Sequence, residues 1–374
     1  MKSPDKNTLG WRGWWIDRRN RLLASPRFQD FAARFPLTRP IAQRRARAMF
    51  DMVAGFTYSQ ILAACIETGL LDVLADGAQD VAAIAARIDL PEAGALRLLR
   101  AAAALGLAES VGAAWVLGGS GAALRGNRGI AEMIAHHRLF YADLADPVAL
   151  LRRGGGGGAL SRLWHYAEQA GTGEAAAVAD YSALMAASQP MVAAQAINAY
   201  SFHKHRRLLD VGGGEGAFLT AVGGRVPGLE LGLFDLPAVV DRAKARFEAA
   251  GLASRTTVFG GDFLADALPQ GYDIVSLIRV LHDHDDGPAM TLLRSIHTAL
   301  PPGGALFIAE PMAQTPGAET MGDAYFGFYL LAMGSGRPRS AAEIAAMLRE
   351  AGFVQTRNLP TAMPLNASAI IATR

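Results

Sequence analysis

The chain has 374 residues, 51% apolar and 19% charged, which allows about two domains with buried cores and excludes a disordered chain. A single cysteine, Cys65, excludes an intrachain disulfide and any thiolate metal cluster drawn from one copy, and fits a reducing compartment. The net charge of +2 hides an asymmetry: residues 1–50 carry 12 Lys and Arg against 3 acids, and the other 324 carry 24 against 31, so a basic arm precedes an acidic body.

In the arm, residues 1–49, Trp11, Trp14 and Trp15 recur at i, i+3, i+4 and Phe28, Phe31 and Phe35 at i, i+3, i+7. Arg12, Arg18, Arg19, Arg21, Arg27 and Arg34 lie between them. The spacing predicts amphipathic helices with aromatic faces. Two readings stand open: the rings sit at headgroup depth while the arginines meet anionic lipid, or the rings are ordinary core beneath a solvated face. Nucleic-acid binding is disfavoured, since no base-reading fold is recognisable. The first thirty residues lack the uncharged apolar centre of a secretory signal. The longest uncharged stretch, 181–203, contains Pro190, Gln189, Gln195 and Asn198, so no transmembrane helix is expected.

From Phe50 to about residue 130 the pattern is helical, with breaks at Gly69, Gly77 and Pro91, followed by VGAAWVLGG as a short hairpin. Two helices and a wing predict a winged helix. Residues 51–150 hold 11 acids against 6 arginines, and the second helix offers only Arg97 and Arg100 amid alanine and leucine, so this module is expected to pack on a second copy rather than on DNA. Residues 131–205 read as a helical linker interrupted by RRGGGGGAL at 152–160, where five consecutive glycines predict a mobile loop or a surface insertion.

After residue 206 short apolar runs alternate with helical stretches. Strands are predicted near 208–211, 231–234, 256–259, 273–278, 305–310, 353–358 and 367–372, with helices between the first six. This pattern points to an α/β, doubly wound, Rossmann-like sheet whose last strand is antiparallel. LLDVGGGEGAF puts Asp210 at a strand end and Gly212, Gly214 and Gly216 in the turn before a helix, a shape that lets backbone approach a ligand closely. With Ala217 it also meets the loose form of a dinucleotide turn, so a nicotinamide oxidoreductase stays open. Asp235 ends the second strand just before Pro237 opens a helix, where a carboxylate can accept both ribose hydroxyls. Asp262 and Phe263 follow the third strand. The fourth runs into RVLHDHDD, where His282 at the strand end can take a proton from a hydroxyl. His282 and His284 with Asp283, Asp285 and Asp286 form a disfavoured metal alternative, and no metal is expected.

In this order the motifs resemble the class I S-adenosylmethionine-dependent methyltransferases, and over residues 50–374 the layout is similar to the small-molecule O-methyltransferases that act on plant phenols and hydroxyindoles. The matching patterns are DVGGGxG at Asp210–Gly216, FDLP at Phe234–Pro237, GDF at Gly261–Phe263 and LHDxDD at Leu281–Asp286. The resemblance implies S-adenosylmethionine as cofactor, a winged-helix domain that forms a homodimer, and His282 as general base with Glu310 of FIAEPM as its catalytic partner. The expected cofactor set is Asp210, Gly212, Gly214, Gly216, Asp235, Leu236, Asp262, Phe263 and Arg279. Tyr181, Met185, Tyr325, Phe328 and Tyr329 are the expected substrate pocket, although Tyr325 and Phe328 equally suit plain helix core. Two departures stand out: His284 occupies a place where relatives often carry Trp, and GSGRPRS, with Pro338, replaces the GGKER-like segment that gives the phenol-specific enzymes a second acid.

The arm and the adjoining RPIAQRRARAMFDMVAGFTYSQIL resemble the hydroxyneurosporene (demethylspheroidene) O-methyltransferases of purple photosynthetic bacteria. That resemblance implies methylation of the tertiary hydroxyl of an acyclic 1-hydroxycarotenoid, a hydrophobic substrate, in a cytoplasmic protein peripheral to the inner face of the photosynthetic membrane. A phenol or polyketide acceptor and a non-catalytic S-adenosylmethionine-sensing regulator are the alternatives.

Overall fold

The structure, a computed structural model, describes residues 10–168 and 189–374, and the side chains of these except at 128 and 164–168. They divide into two compact units that meet in sequence at Ala122 and Ala123.

The first unit opens with α1 (Gly10–Ala24), α2 (Pro26–Arg34) and α3 (Arg39–Glu67). Proline at the first or second position of α2 and α3 suits helix starts, where the missing N–H has no intrahelical partner to lose. The 29-residue α3 runs without a break across the expected boundary at residues 49 and 50, so the arm and the helical module share one helix. By length and composition alone α3 is apolar enough to pass for a membrane span, with no more than two charges in the window that does so. α4 (Leu70–Ala75), α5 (Val81–Arg87) and α6 (Glu92–Ala104) then lead to an antiparallel hairpin, β1 (Ala108–Val111) and β2 (Ala114–Leu117), and to α7 (Gly119–Arg125). Leu70, Leu74, Ile84, Leu99 and Leu107 form the core beneath this helix pair and wing.

The second unit starts with α8 (Arg128–Asp143), α9 (Pro147–Arg152), α10 (Ala159–Glu168) and a helix described over residues 189–199, α11. The glycine run is a built turn and not the free loop or insertion expected of it. Gly154 to Gly157 all adopt positive φ, between 61° and 103°, and the Gly156 N–H donates to the Leu331 carbonyl at 2.9 Å. A Cβ on Gly155 would meet the same carbonyl at 2.5 Å, so only glycine lets this chain lie against that helix.

The sheet comes next, with β3 (Arg207–Val211), β4 (Glu230–Asp235), β5 (Thr256–Gly260), β6 (Ile274–Ile278), β7 (Ala305–Glu310), β8 (Gln355–Leu359) and β9 (Ser368–Thr373) in the order β5-β4-β3-β6-β7-β9-β8. The first five strands are parallel, and β9 is antiparallel to both β7 and β8. The helices are α12 (Ala217–Arg225), α13 (Pro237–Ala249), α14 (Asp286–Ala299), a π-helix (Thr320–Phe326), α15 (Gly327–Met333) and α16 (Ala341–Glu350). No helix joins β5 to β6. That 13-residue link contains Pro269 and Gly271 and crosses as turns, against the expectation of a helix between every pair of early strands.

Leu208, Leu231, Leu233 and Phe307 pack on one face of the sheet, and Leu209, Val211, Val275, Leu277 and Ile308 on the other. Burial on both faces explains why the strands read as unbroken apolar runs. The order reverses between β3 and β6, which places a crevice at the carboxyl ends of these strands.

Candidate active site

The strand register sets the crevice. Asp210 pairs in parallel register with Leu233 on one side and Ser276 on the other, and Asp235 pairs with Gly260, so Asp210, Asp235 and the turn carrying Asp262 succeed one another along the carboxyl edge. Gly212, Gly214 and Gly216 have φ of 68°, 58° and 76°, the left-handed region that only glycine enters freely. A Cβ on Gly216 would overlap the Phe247 ring, and one on Gly212 would stand 2.9 Å from Val280. The turn is thereby drawn tight against the strand that leads to His282.

Asp235 stiffens this turn from the neighbouring strand. Its Oδ2 accepts the Gly214 N–H and its Oδ1 the Leu236 N–H, both at 2.7 Å. Burial raises its pKa, opposed by those two N–H groups. Asp210 lies beneath the turn, fully buried, with Oδ1 accepting the Ser276 hydroxyl at 2.5 Å and Oδ2 without a partner. Burial lifts its carboxyl to about 7. It forms the floor of the cradle and does not stand on the crevice surface, where the sequence pattern puts it. Asp262 is exposed and accepts the Leu264 N–H at 2.8 Å, an Asx-type turn that brings Phe263 against the His284 ring at 5.3 Å. The glycine cradle and the carboxylate beside it suit a nucleoside ligand carrying ribose hydroxyls.

His282 sits on a single 3-10 turn, Leu281–Asp283, and is 2% exposed. Its main-chain N–H donates to Glu310 Oε2 at 3.1 Å, while its ring Nε2 faces Asp283 Oδ1 at 3.1 Å. The ring's carboxylate partner is therefore Asp283 and not Glu310, which the resemblance implies as partner; the turn directs the backbone, rather than the imidazole, at the end of β7. Nδ1 and Glu310 Oε1 are buried without partners. Burial alone pushes the imidazole down, but the Asp283 carboxylate, with Glu310 behind it, outweighs burial and raises its pKa above the ordinary value. Burial likewise raises Glu310, opposed by His282 and Arg339.

GSGRPRS, read in the sequence as a departure, secures this turn. The fully buried Arg339 donates to the carbonyls of Leu281 and His284, both at 2.8 Å, and to Asp286 at 2.7 Å. The Arg337 N–H donates to the His282 carbonyl at 2.9 Å. Asp286, held below the usual carboxylate range by Arg337 and Arg339, is committed to this structural tie. Among the described residues no His, Cys, Asp and Glu cluster could hold a metal ion.

Beyond His282 lies an aromatic wall. The Phe326 ring, at the end of the π-helix, is 5.6 Å from the imidazole. Tyr325 and Tyr329 pair with adjacent histidines on α8: His137 Nε2 with the Tyr325 hydroxyl at 2.7 Å, and His136 Nε2 with the Tyr329 hydroxyl at 3.0 Å. Burial, with His137 beside it, pushes His136 down to about 4; burial also lowers His137, lifts Tyr325 to about 12 and raises Tyr329. All four are therefore neutral at neutral pH. Arg279 takes a positive φ of 58°, strain of the kind that gathers at functional sites. Its guanidinium opposes the rise at both tyrosines, so its charge is felt at this wall. Phe328 packs partly buried in the helical core. Tyr181 and Met185 lie outside the described residues. The sequence reading does not pick out His136, His137, Phe326 or Arg339 as site residues and meets Asp283 only in the disfavoured metal alternative; the adjacent histidine pair on α8 is a signal for the first two.

Residues 141–354 match the model of an O-methyltransferase domain and residues 50–117 that of an O-methyltransferase dimerisation domain. The chain belongs to the family of S-adenosylmethionine-dependent O-methyltransferases. It is 45% identical over 358 residues to demethylspheroidene O-methyltransferase of Cereibacter sphaeroides, covering 95% of this chain and 94% of that one. The protein of that name from Rhodobacter capsulatus is 40% identical, covering 95% and 88%. Among solved structures, the SAH-bound form of CalO1, a methyltransferase in calicheamicin biosynthesis, superposes with a TM-score of 0.74 at 25% identity, over 88% of this chain and 98% of that one.

Proposed function

We propose that this O-methyltransferase methylates the tertiary hydroxyl of an acyclic 1-hydroxycarotenoid, with His282 as the general base. The 45% identity to a demethylspheroidene O-methyltransferase along almost the whole chain carries the choice of substrate, and the apolar, neutral wall of Tyr325, Phe326 and Tyr329 beside His282 supports it.

The Gly212–Gly216 turn, Asp235, Leu236, Asp262 and Phe263 would hold S-adenosylmethionine, which when bound would supply an electrophilic methyl group from a sulfonium, the carbon–sulfur bond breaking to leave a neutral thioether. Asp283 takes the Nε2–H of His282, so Nδ1 keeps the lone pair. A tertiary alcohol is too weak an acid to ionise fully to an imidazole, so His282 removes the proton as the new O–C bond forms. Glu310 acts as a positioning residue, because it grips the main chain of His282, and Arg339 holds the same turn from the other side. Placement of the hydroxyl supplies much of the rate.

On this reading the enzyme is a homodimer. Met49, Met52, Val53 and Phe56 recur at helical spacing on one exposed side of α3, overlapping the segment that matches the dimerisation model. Its acceptor resides in a bilayer, so the protein works from the cytoplasm at the inner face of a membrane.

Turnover of lycopene-derived tertiary alcohols compared with catechols and hydroxyindoles tests the proposal. The hydroxycarotenoid is expected to be methylated and the phenols left untouched; the opposite preference would overturn the substrate.

A further inference from the structure

α1 and α2 lie before the segment that matches the dimerisation model, and their outward side is unlike an ordinary soluble surface. On α1 no residue is buried. Trp11 is 75% exposed, Trp14 51% and Trp15 59%, and Leu22, Phe31 and Phe35 are exposed with them. At 3.6 residues per turn Trp11, Trp14, Trp15, Arg18 and Leu22 share an arc of about 100°. Leu23 and Phe28, by contrast, are partly buried.

The same two helices carry six arginines against Asp17 and Asp30, a net charge of +4, and Asp17 is already paired with Arg21 at 2.7 Å. The Arg18 guanidinium lies 4.9 Å from the centre of the Trp14 ring, so a cation and an indole are presented together.

We propose that α1 and α2 form a docking surface for an anionic lipid bilayer, the tryptophans entering the headgroup region and Arg12, Arg18, Arg19 and Arg27 meeting lipid phosphates. Exposed indoles of this amphipathic kind suit the interface, and arginines close to the surface are drawn to negatively charged lipid. Charge complementarity selects this occupant. Two copies meeting through this face would bring two +4 surfaces together, and a second copy already has the apolar side of α3 to cover. The inference deepens the proposed function, since a bilayer is where a long hydrophobic acceptor is met, and it rests on that reading only for its purpose.

The test uses the full chain and carotenoid-free vesicles, so its result is independent of the acceptor's identity. Flotation is measured with phosphatidylcholine vesicles and with phosphatidylcholine containing phosphatidylglycerol, at low and high salt, for wild type, for the triple variant Trp11→Ala, Trp14→Ala, Trp15→Ala, and for Arg18→Glu with Arg19→Glu. Circular dichroism confirms that each variant is folded. Wild type is expected to bind anionic vesicles at least tenfold more tightly than neutral ones and to lose that preference in high salt. Both variants should lose at least tenfold in binding, yet keep wild-type turnover of acceptor delivered in detergent micelles. Equal binding by the variants, no binding by wild type, or a change of oligomeric state as the main effect of the tryptophan changes would each overturn the proposal.

Discussion

Asp210→Asn isolates the electrostatic cost of the cradle floor. Asp210 is fully buried with one oxygen unpartnered, and burial lifts its carboxyl from 3.8 to about 7. The folded value lies above the unfolded one, so the folded protein binds this proton more tightly. The resulting stability is complete below about pH 4 and is lost as the pH rises towards about 7. At about 1.4 kcal/mol for each tenfold change in proton affinity, the ionised side chain costs the fold about 4 kcal/mol at alkaline pH. Asparagine preserves the shape and the oxygen that accepts from Ser276 but never ionises. Any fixed penalty of its own, such as an unpaired amide costing about 1–3 kcal/mol, is the same at every pH. The stability of Asp210→Asn relative to wild type should therefore improve by about 4 kcal/mol between about pH 4 and about pH 8. Urea unfolding of both proteins, without cofactor, across that range measures the difference directly. A difference that stays flat with pH would refute the reasoning, because the carboxylate would then be as well solvated in the fold as in the unfolded chain.

Three further perturbations probe the site. Asp283→Asn removes the charge that raises His282 and leaves burial to lower it, so the ring becomes neutral at lower pH; the acid limb of kcat against pH should move to lower pH, and an unmoved limb would contradict the pairing. Gly216→Ala forces a side chain into a left-handed φ of 76° and into the Phe247 ring, which should cost about 2–5 kcal/mol in denaturant unfolding; a loss below about 1 kcal/mol would show that the turn relaxes freely. Arg339→Met leaves the Leu281 and His284 carbonyls without their donor, with an expected loss of about 2–4 kcal/mol and a fall in kcat at unchanged cofactor affinity; normal kcat would show that this tie does not position His282.

The sheet was legible because β3, β4, β6 and β7 are covered on both faces, so each reads as a continuous apolar run, and because the glycine turn and Asp235 stand at strand ends. The antiparallel β8 and β9 were legible from the absence of a helix between them, although β8, QTRNL, is a largely polar edge strand. Other features depend on contacts that no local pattern records. The glycines at 154–157 read as a free loop until Leu331 is seen against them. The π-helix, TMGDAYF, carries no mark that separates it in sequence from an ordinary helix, and the contacts of Phe326 with His282 and of Tyr325 with His137 are seen only in the fold. Glu310 was foreseen as a residue at the site, but its attachment to the backbone of His282 arises from one 3-10 turn that spacing does not reveal. Arg339 was hidden for the opposite reason: an arginine in a Gly- and Pro-rich segment reads as solvated, and only the fold shows it buried among carbonyls.

The central claim, that His282 takes the proton of a tertiary alcohol as a methyl group arrives from S-adenosylmethionine, is met most directly by one paired measurement. Wild type and His282→Gln are each incubated with methyl-labelled S-adenosylmethionine and a 1-hydroxycarotenoid, cofactor affinity is titrated alongside, and the product is read by mass. Wild type is expected to yield the labelled methyl ether, and His282→Gln to bind cofactor normally while losing at least a hundredfold in turnover, the scale on which general-base catalysis acts. Near-wild-type turnover by His282→Gln, or label appearing anywhere but on the tertiary oxygen, would contradict it.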